Sequence, residues 1–233
     1  MLTKSMNDIF MRAKRLCRRV ATRDLDVVPL YLVLQSQMPV GRVTHNYCNG
    51  YTSPCLDLYL RDVIADKWWG RGACIVVNDE ALQEAFEPED IEMALLHVVI
   101  HELVHVIDRP APFRPRPSVA PTVIAKEAVR VAEIVASDPQ DDIRPALWVG
   151  HGRRFIRIAL HLQYRVEQTG MRLSPGMLCA GPTYGLSHAE RYLTALGDEP
   201  ADMIEMTFRD ICLTDPPETF SRLWWRDSDN SAL

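Results

Sequence analysis

No apolar run in this 233-residue chain approaches the roughly 20 residues that a membrane-spanning helix needs, which argues against a membrane protein. The chain also lacks a strong charge bias. A formal net charge of −5 gives no overall field to draw in nucleic acid, so any such contact has to come from a local patch. Its six cysteines (Cys17, Cys48, Cys55, Cys74, Cys179 and Cys212) form no disulfide framework and never fall at C-x-x-C spacing. With no apolar core of a secretory leader near Met1, this usage implies free thiols in a reducing cytoplasmic setting, with only Cys48 and Cys55 open as a pair.

What the chain has is enough apolar residue, 47%, to bury one substantial core, and one stretch with chemistry in it. From about Asp90 to Asp108 there is neither Gly nor Pro, Pro88 precedes and Arg109-Pro110 follows, and Ile91, Ala94, Leu95, Val98 and Val99 recur as a helix requires. This predicted buried helix carries His101-Glu102-Leu103-Val104-His105, an H-E-x-x-H. One helical turn separates His101 from His105, so both imidazoles share a face where they can bind one zinc ion, with Glu102 beside them. Neutral imidazoles leave the ion its charge, which lets a water ionise near neutral pH. Glu102, held off the metal, is then the general base and acid: it takes the proton from the attacking water and returns it to the leaving amine. His97 lies on the same stripe and reads as a core histidine rather than a ligand.

A catalytic zinc needs a third protein ligand. The metzincin extension is excluded, because it requires Gly and His where this chain has Asp108 and Ala111. Two sources stay open: Glu127 or Glu133 on the helical-looking run from Thr122 to Ser137, as in a gluzincin, and His151, set between Gly150 and Gly152 at the mouth of another helical pattern.

The strand-like Ala73–Asn78, the H-E-x-x-H helix, and His151-Gly152-Arg153-Arg154-Phe155 opening a further helix together resemble the SprT-like zinc metallopeptidases, which include the Spartan-type proteases. The resemblance covers roughly residues 25 to 166. It implies a zincin-like α+β fold, one Zn2+ held by His101, His105 and His151, Glu102 as the catalytic residue, and hydrolysis of a protein or peptide substrate. The zinc ribbon that many members carry has no counterpart here, and the separation of His105 from His151 is longer than is usual in the family.

Elsewhere the sequence predicts a small mixed sheet of about three strands: Val27–Gln35, the alternating Leu56-Asp57-Leu58-Tyr59-Leu60, and Ala73–Asn78. Ala73–Asn78 is the candidate edge for pairing with extended substrate. Residues 1–24 alternate Arg12, Lys14, Arg15, Arg18 and Arg19 with apolar residues, giving an amphipathic helix whose basic face is either solvated or a DNA contact. The segment 109–121 holds too many prolines to be anything but a loop. The expected organisation is a metallopeptidase domain over residues 1–172 and a helical C-terminal extension over 173–233, in which Asp198, Glu199, Asp202, Glu205, Asp210 and Asp215 solubilise the segment or offset the basic first helix. A reading of a different class is a non-catalytic DNA- or protein-binding module with a structural metal.

Overall fold

The computed structural model describes residues 6–25, 29–39, 49–52, 56–108, 151–179 and 186–230. It is a mixed α+β chain that divides by its internal contacts into two compact units, Met1–Val135 and Ala136–Leu233. The Pro-rich segment 109–121, the run Thr122–Ser137 with Glu127 and Glu133, Cys48 and Cys55 lie outside the described residues.

The first unit is built on a three-stranded sheet of β1 (Leu30–Leu34), β2 (Gly50–Thr52) and β3 (Ala73–Val77), in the order β1-β3-β2. β1 runs parallel to β3 with Leu30 opposite Ala73, and β2 runs antiparallel with Gly50 opposite Val77. All five residues of β3 are buried, as expected of a strand covered on both faces, which reads as a continuous apolar run. One face carries Tyr31, Val33, Cys74 and Val76 into a cluster with Leu56, Leu60 and Ile64. The other meets the long helix described below.

Two strand expectations are corrected. Leu56–Leu60 is not a strand: Leu56–Tyr59 and Arg61–Ile64 are consecutive helical turns. The residues that go inward are Leu56, Leu60 and Ile64, four apart, and the supposedly solvent-facing Asp57 is fully buried. Its carboxylate accepts from Arg71 Nε at 2.8 Å and from the Gly72 amide at 2.9 Å, so the buried charge is paired and fixes the chain as it enters β3. Gly72 has to be glycine here, since a Cβ would stand 2.3 Å from the Pro29 carbonyl oxygen. Nor is Ala73–Asn78 an edge: Ala73–Val77 is the central strand, with backbone partners on both sides, and among the described residues β1 and the short β2 are the outer strands.

α1 (Met6–Val20) buries Ile9, Phe10, Ala13, Leu16, Cys17 and Val20, packs against the long helix and β1, and pairs Arg12 with Glu92. Burial, then the nearby Arg18 and Lys67, lowers the pKa of Lys14. After β3, Asn78 caps α2 (Asp79–Ala85) by accepting from the Ala81 amide at 3.1 Å, and Asp79 accepts from the Ser36 amide and hydroxyl at 3.0 and 2.6 Å. α3 (Ile91–Asp108) follows; it is apolar nearly all round, as a core helix should be.

The second unit is helical among its described residues. α4 (Arg153–Glu167) buries Phe155, Ile158, Ala159, Leu162 and Val166, the face expected from its periodicity. α5 (Leu186–Leu196), α6 (Phe208–Leu213) and α7 (Glu218–Asn230) follow, and Tyr192 of α5 packs with Phe220 and Trp224 of α7 at ring separations of 5.5 and 6.0 Å. The adjacent tryptophans divide: Trp224 is core, while Trp225 is exposed with Arg153 above its ring. Cys17, Cys74, Cys179 and Cys212 are free thiols, and burial pushes Cys17 and Cys179 up to about 12. Among the described residues, no helix is long and apolar enough to cross a membrane.

Candidate metal centre

α3 brings His101 and His105 together as their four-residue spacing dictates. Their rings meet nearly perpendicular, 79° apart, with the two Nε2 atoms 3.2 Å from each other. A hydrogen bond between them requires one ring to donate and the other to accept; a shared metal uses both lone pairs. In a tetrahedral zinc site with Zn–N bonds of about 2.0–2.1 Å, two ligand nitrogens stand about 3.3–3.4 Å apart, so the observed spacing fits a zinc ion with little adjustment. Both rings are half-buried, which leaves the pair reachable.

Glu102 follows His101 and is buried. The approach of β2 to this turn of α3 depends on Gly50. A Cβ there would lie 2.4 Å from Val98 Cγ1, 3.2 Å from the Val76 carbonyl oxygen and 3.3 Å from Glu102 Cγ. Because Val98 is β-branched and stiff, it has no cheap way to yield. Glycine therefore lets β2 lie directly against the carboxylate-bearing turn.

His97 is a core histidine, in line with its sequence reading. It is buried, its Nδ1 lies 2.8 Å from the Met93 carbonyl, and burial lowers its pKa despite that bond, so the neutral ring donates Nδ1–H to the preceding turn.

His151 stands in the second unit, one residue before Gly152, whose carbonyl accepts from the Ile156 amide and opens α4. Its half-buried ring lies edge-on to Phe155, one turn into the helix, at 4.6 Å, which fixes the imidazole by packing. Gly152 has φ −74°, a conformation open to any residue, so its value at this position is its small size rather than its backbone freedom.

Sequence reasoning missed a second polar cluster. On α4, Arg157 and His161 are buried and both donate to Glu199 Oε1, at 2.8 and 2.7 Å; Arg157 also reaches the Thr214 carbonyl and hydroxyl at 2.7 and 2.8 Å. Glu199 is thus a buried ion-pair partner, not a solubilising surface charge. Little in the sequence signals it: Arg157 and His161 stand at i, i+4 beside Arg154 and Arg165, on the polar side of an amphipathic helix.

Comparison with protein-family models, with curated proteins and with solved structures finds no match.

Proposed function

We propose that the chain is a zinc-dependent metallopeptidase of SprT-like, zincin type, with His101, His105 and His151 as zinc ligands and Glu102 as the catalytic acid and base. The observation that carries this reading is the 3.2 Å approach of the His101 and His105 Nε2 atoms on a buried helix, with a carboxylate next in sequence. His151 enters as the third ligand through the resemblance of His151-Gly152-Arg153-Arg154-Phe155 to the family's element.

Each group has a separable task. His101, His105 and His151, as neutral imidazoles, hold the ion without cancelling its charge. A bound zinc ion supplies a Lewis acid that makes water a nucleophile at neutral pH. Glu102 takes the proton of the attacking water and hands it to the amine as the peptide bond breaks.

Zinc content of protein purified without added metal or chelator tests the site before any substrate is known. The expected result is one zinc per chain, lost in His101→Ala, weakened in His151→Ala and retained in Glu102→Gln. A parent that binds no zinc even when it is supplied removes the basis of the proposal. Full zinc retention in His151→Ala rules out His151 and sends the search for the third ligand to Glu127 and Glu133.

A further inference from the structure

The second unit contains a groove of about 610 Å3 between α5 and α7, lined by Arg191 from α5, Arg222 and Arg226 from α7, and an apolar strip that includes Ala195 and Leu223. Arg222 and Arg226 are one helical turn apart and so share a face of α7. The three side chains are 44%, 69% and 59% exposed, so their guanidiniums are open to a ligand.

Two of these arginines are held in place. Asp227, whose side chain is only 10% exposed, accepts from the Tyr192 hydroxyl at 3.2 Å and lies 3.6 Å from Arg191 and 3.4 Å from Arg226. One carboxylate thereby anchors cations from both helices, and Arg222 faces only the fully solvated Glu218 at 3.5 Å. Three cations against two carboxylates leave the groove positive, although the same unit exposes Asp198, Asp202, Glu205, Asp210 and Asp215. The threonines of the groove supply the opposite polarity: Thr194 donates its hydroxyl proton to the Glu190 carbonyl and Thr219 to that of Ala195, so each turns a lone pair outward.

We infer that this groove docks a short acidic peptide segment of a protein partner or substrate. The arginines take its carboxylates, the threonine oxygens take backbone N–H groups, and the Ala195–Leu223 strip takes its aliphatic carbons. Single-stranded nucleic acid fits less well, because the aromatic rings Phe220 and Trp224 are buried, and the exposed Trp225 does not line the groove and has Arg153 over its ring.

The test is fluorescence anisotropy of the whole protein with a labelled Glu-Ala repeat peptide at low ionic strength, alongside a Gln-Ala repeat peptide of equal length. The acidic peptide is expected to bind and the Gln-Ala peptide not to. Arg222→Ala and Arg191→Gln should each weaken the acidic peptide about tenfold, the loss of one charge-assisted contact, at unchanged melting temperature. Equal binding of the two peptides, unchanged affinity in both variants, or stronger binding of a single-stranded oligonucleotide overturns the inference. None of these residues is a proposed zinc ligand, so zinc content reports on the metal reading separately.

Discussion

Two helices of this protein carry a pair of nitrogen-bearing side chains four residues apart, one on the apolar α3 and one on the amphipathic α4, and the two pairs meet different groups. On α4, Arg157 and His161 both turn to Glu199, which accepts from each, so the carboxylate is consumed in holding the fold. On α3, His101 and His105 turn their Nε2 atoms to each other, while the neighbouring carboxylate sits on the next residue of the same helix. Spacing fixes which side chains meet; the third group they meet decides between structure and chemistry. The α4 cluster is nearly closed to solvent, and the His101–His105 pair is half-open. A site that must admit a reactant has to leave some of its polar groups reachable, and a site that only fastens helices does not.

Removing the carboxylate on each side is the sharpest way to separate the two uses. Glu102→Gln is expected to cut peptide hydrolysis by about 10²–10⁴-fold or more while the melting temperature and zinc content stay near those of the parent, because the amide keeps the shape and loses the base. Glu199→Ala is expected to do the reverse. It strands the buried Arg157 guanidinium and should cost about 3–5 kcal/mol of stability, read by denaturant unfolding, with zinc per folded chain unchanged. If Glu199→Ala instead lost zinc while remaining stable, the division between a structural and a chemical helix would collapse.

How far each half was legible follows from the range of the signals. α3 shows in sequence because its apolar period, its lack of Gly and Pro and its H-E-x-x-H all lie within one helix, and the observed Ile91–Asp108 sits within a residue of the expected span. α1 is legible for the same reason, down to the buried Ile9, Phe10, Ala13, Leu16, Cys17 and Val20. The failures are long-range. Asp57 looked solvent-facing because its partner Arg71 is 14 residues away, and Glu199 looked like a surface charge because Arg157 is 42 residues away. Strand order has no local signal either, so the central position of Ala73–Val77 was hidden; a run of five apolar residues was the available hint that both faces would be covered. The two histidines of the candidate site could be placed from spacing alone, but Gly50, which lets β2 approach Glu102, could not.

Gly50→Ala carries the comparison into packing. The new methyl group would overlap Val98 and press on the Val76 carbonyl, and overpacking of this kind costs about 1–3 kcal/mol. Because the displaced elements are β2 and the turn bearing Glu102, hydrolysis should fall more than stability predicts, whereas an equally destabilising change in the α4 cluster should leave the activity of the folded fraction intact. Val98→Ala in the same chain, which removes the obstructing methyls, is expected to restore part of both.

The smallest effect expected is on the acid side of the stability profile, where His161 on α4 acts together with His97 on α3, whose pKa burial also lowers. His161 is lowered below its ordinary 6.5, first by burial, which outweighs the bond to Glu199 that would raise it. Glu199 is pushed up by burial, but the bonds from His161 and Arg157 win and hold it below its ordinary 4.5. Both signs point the same way. As pH falls below 6.5 the unfolded chain takes a proton on this histidine that the folded chain resists, since the buried Nδ1 has no acceptor to receive an N–H. Below 4.5 the unfolded chain protonates the carboxylate while the folded one holds it ionised until its lower pKa is passed. Melting temperature should therefore be flat above about pH 7 and decline in two stages below it. In His161→Gln the stage between pH 6.5 and 4.5 should shrink and the lower one persist, because Arg157 still faces Glu199; an unaltered profile in that variant would assign the upper stage to another histidine.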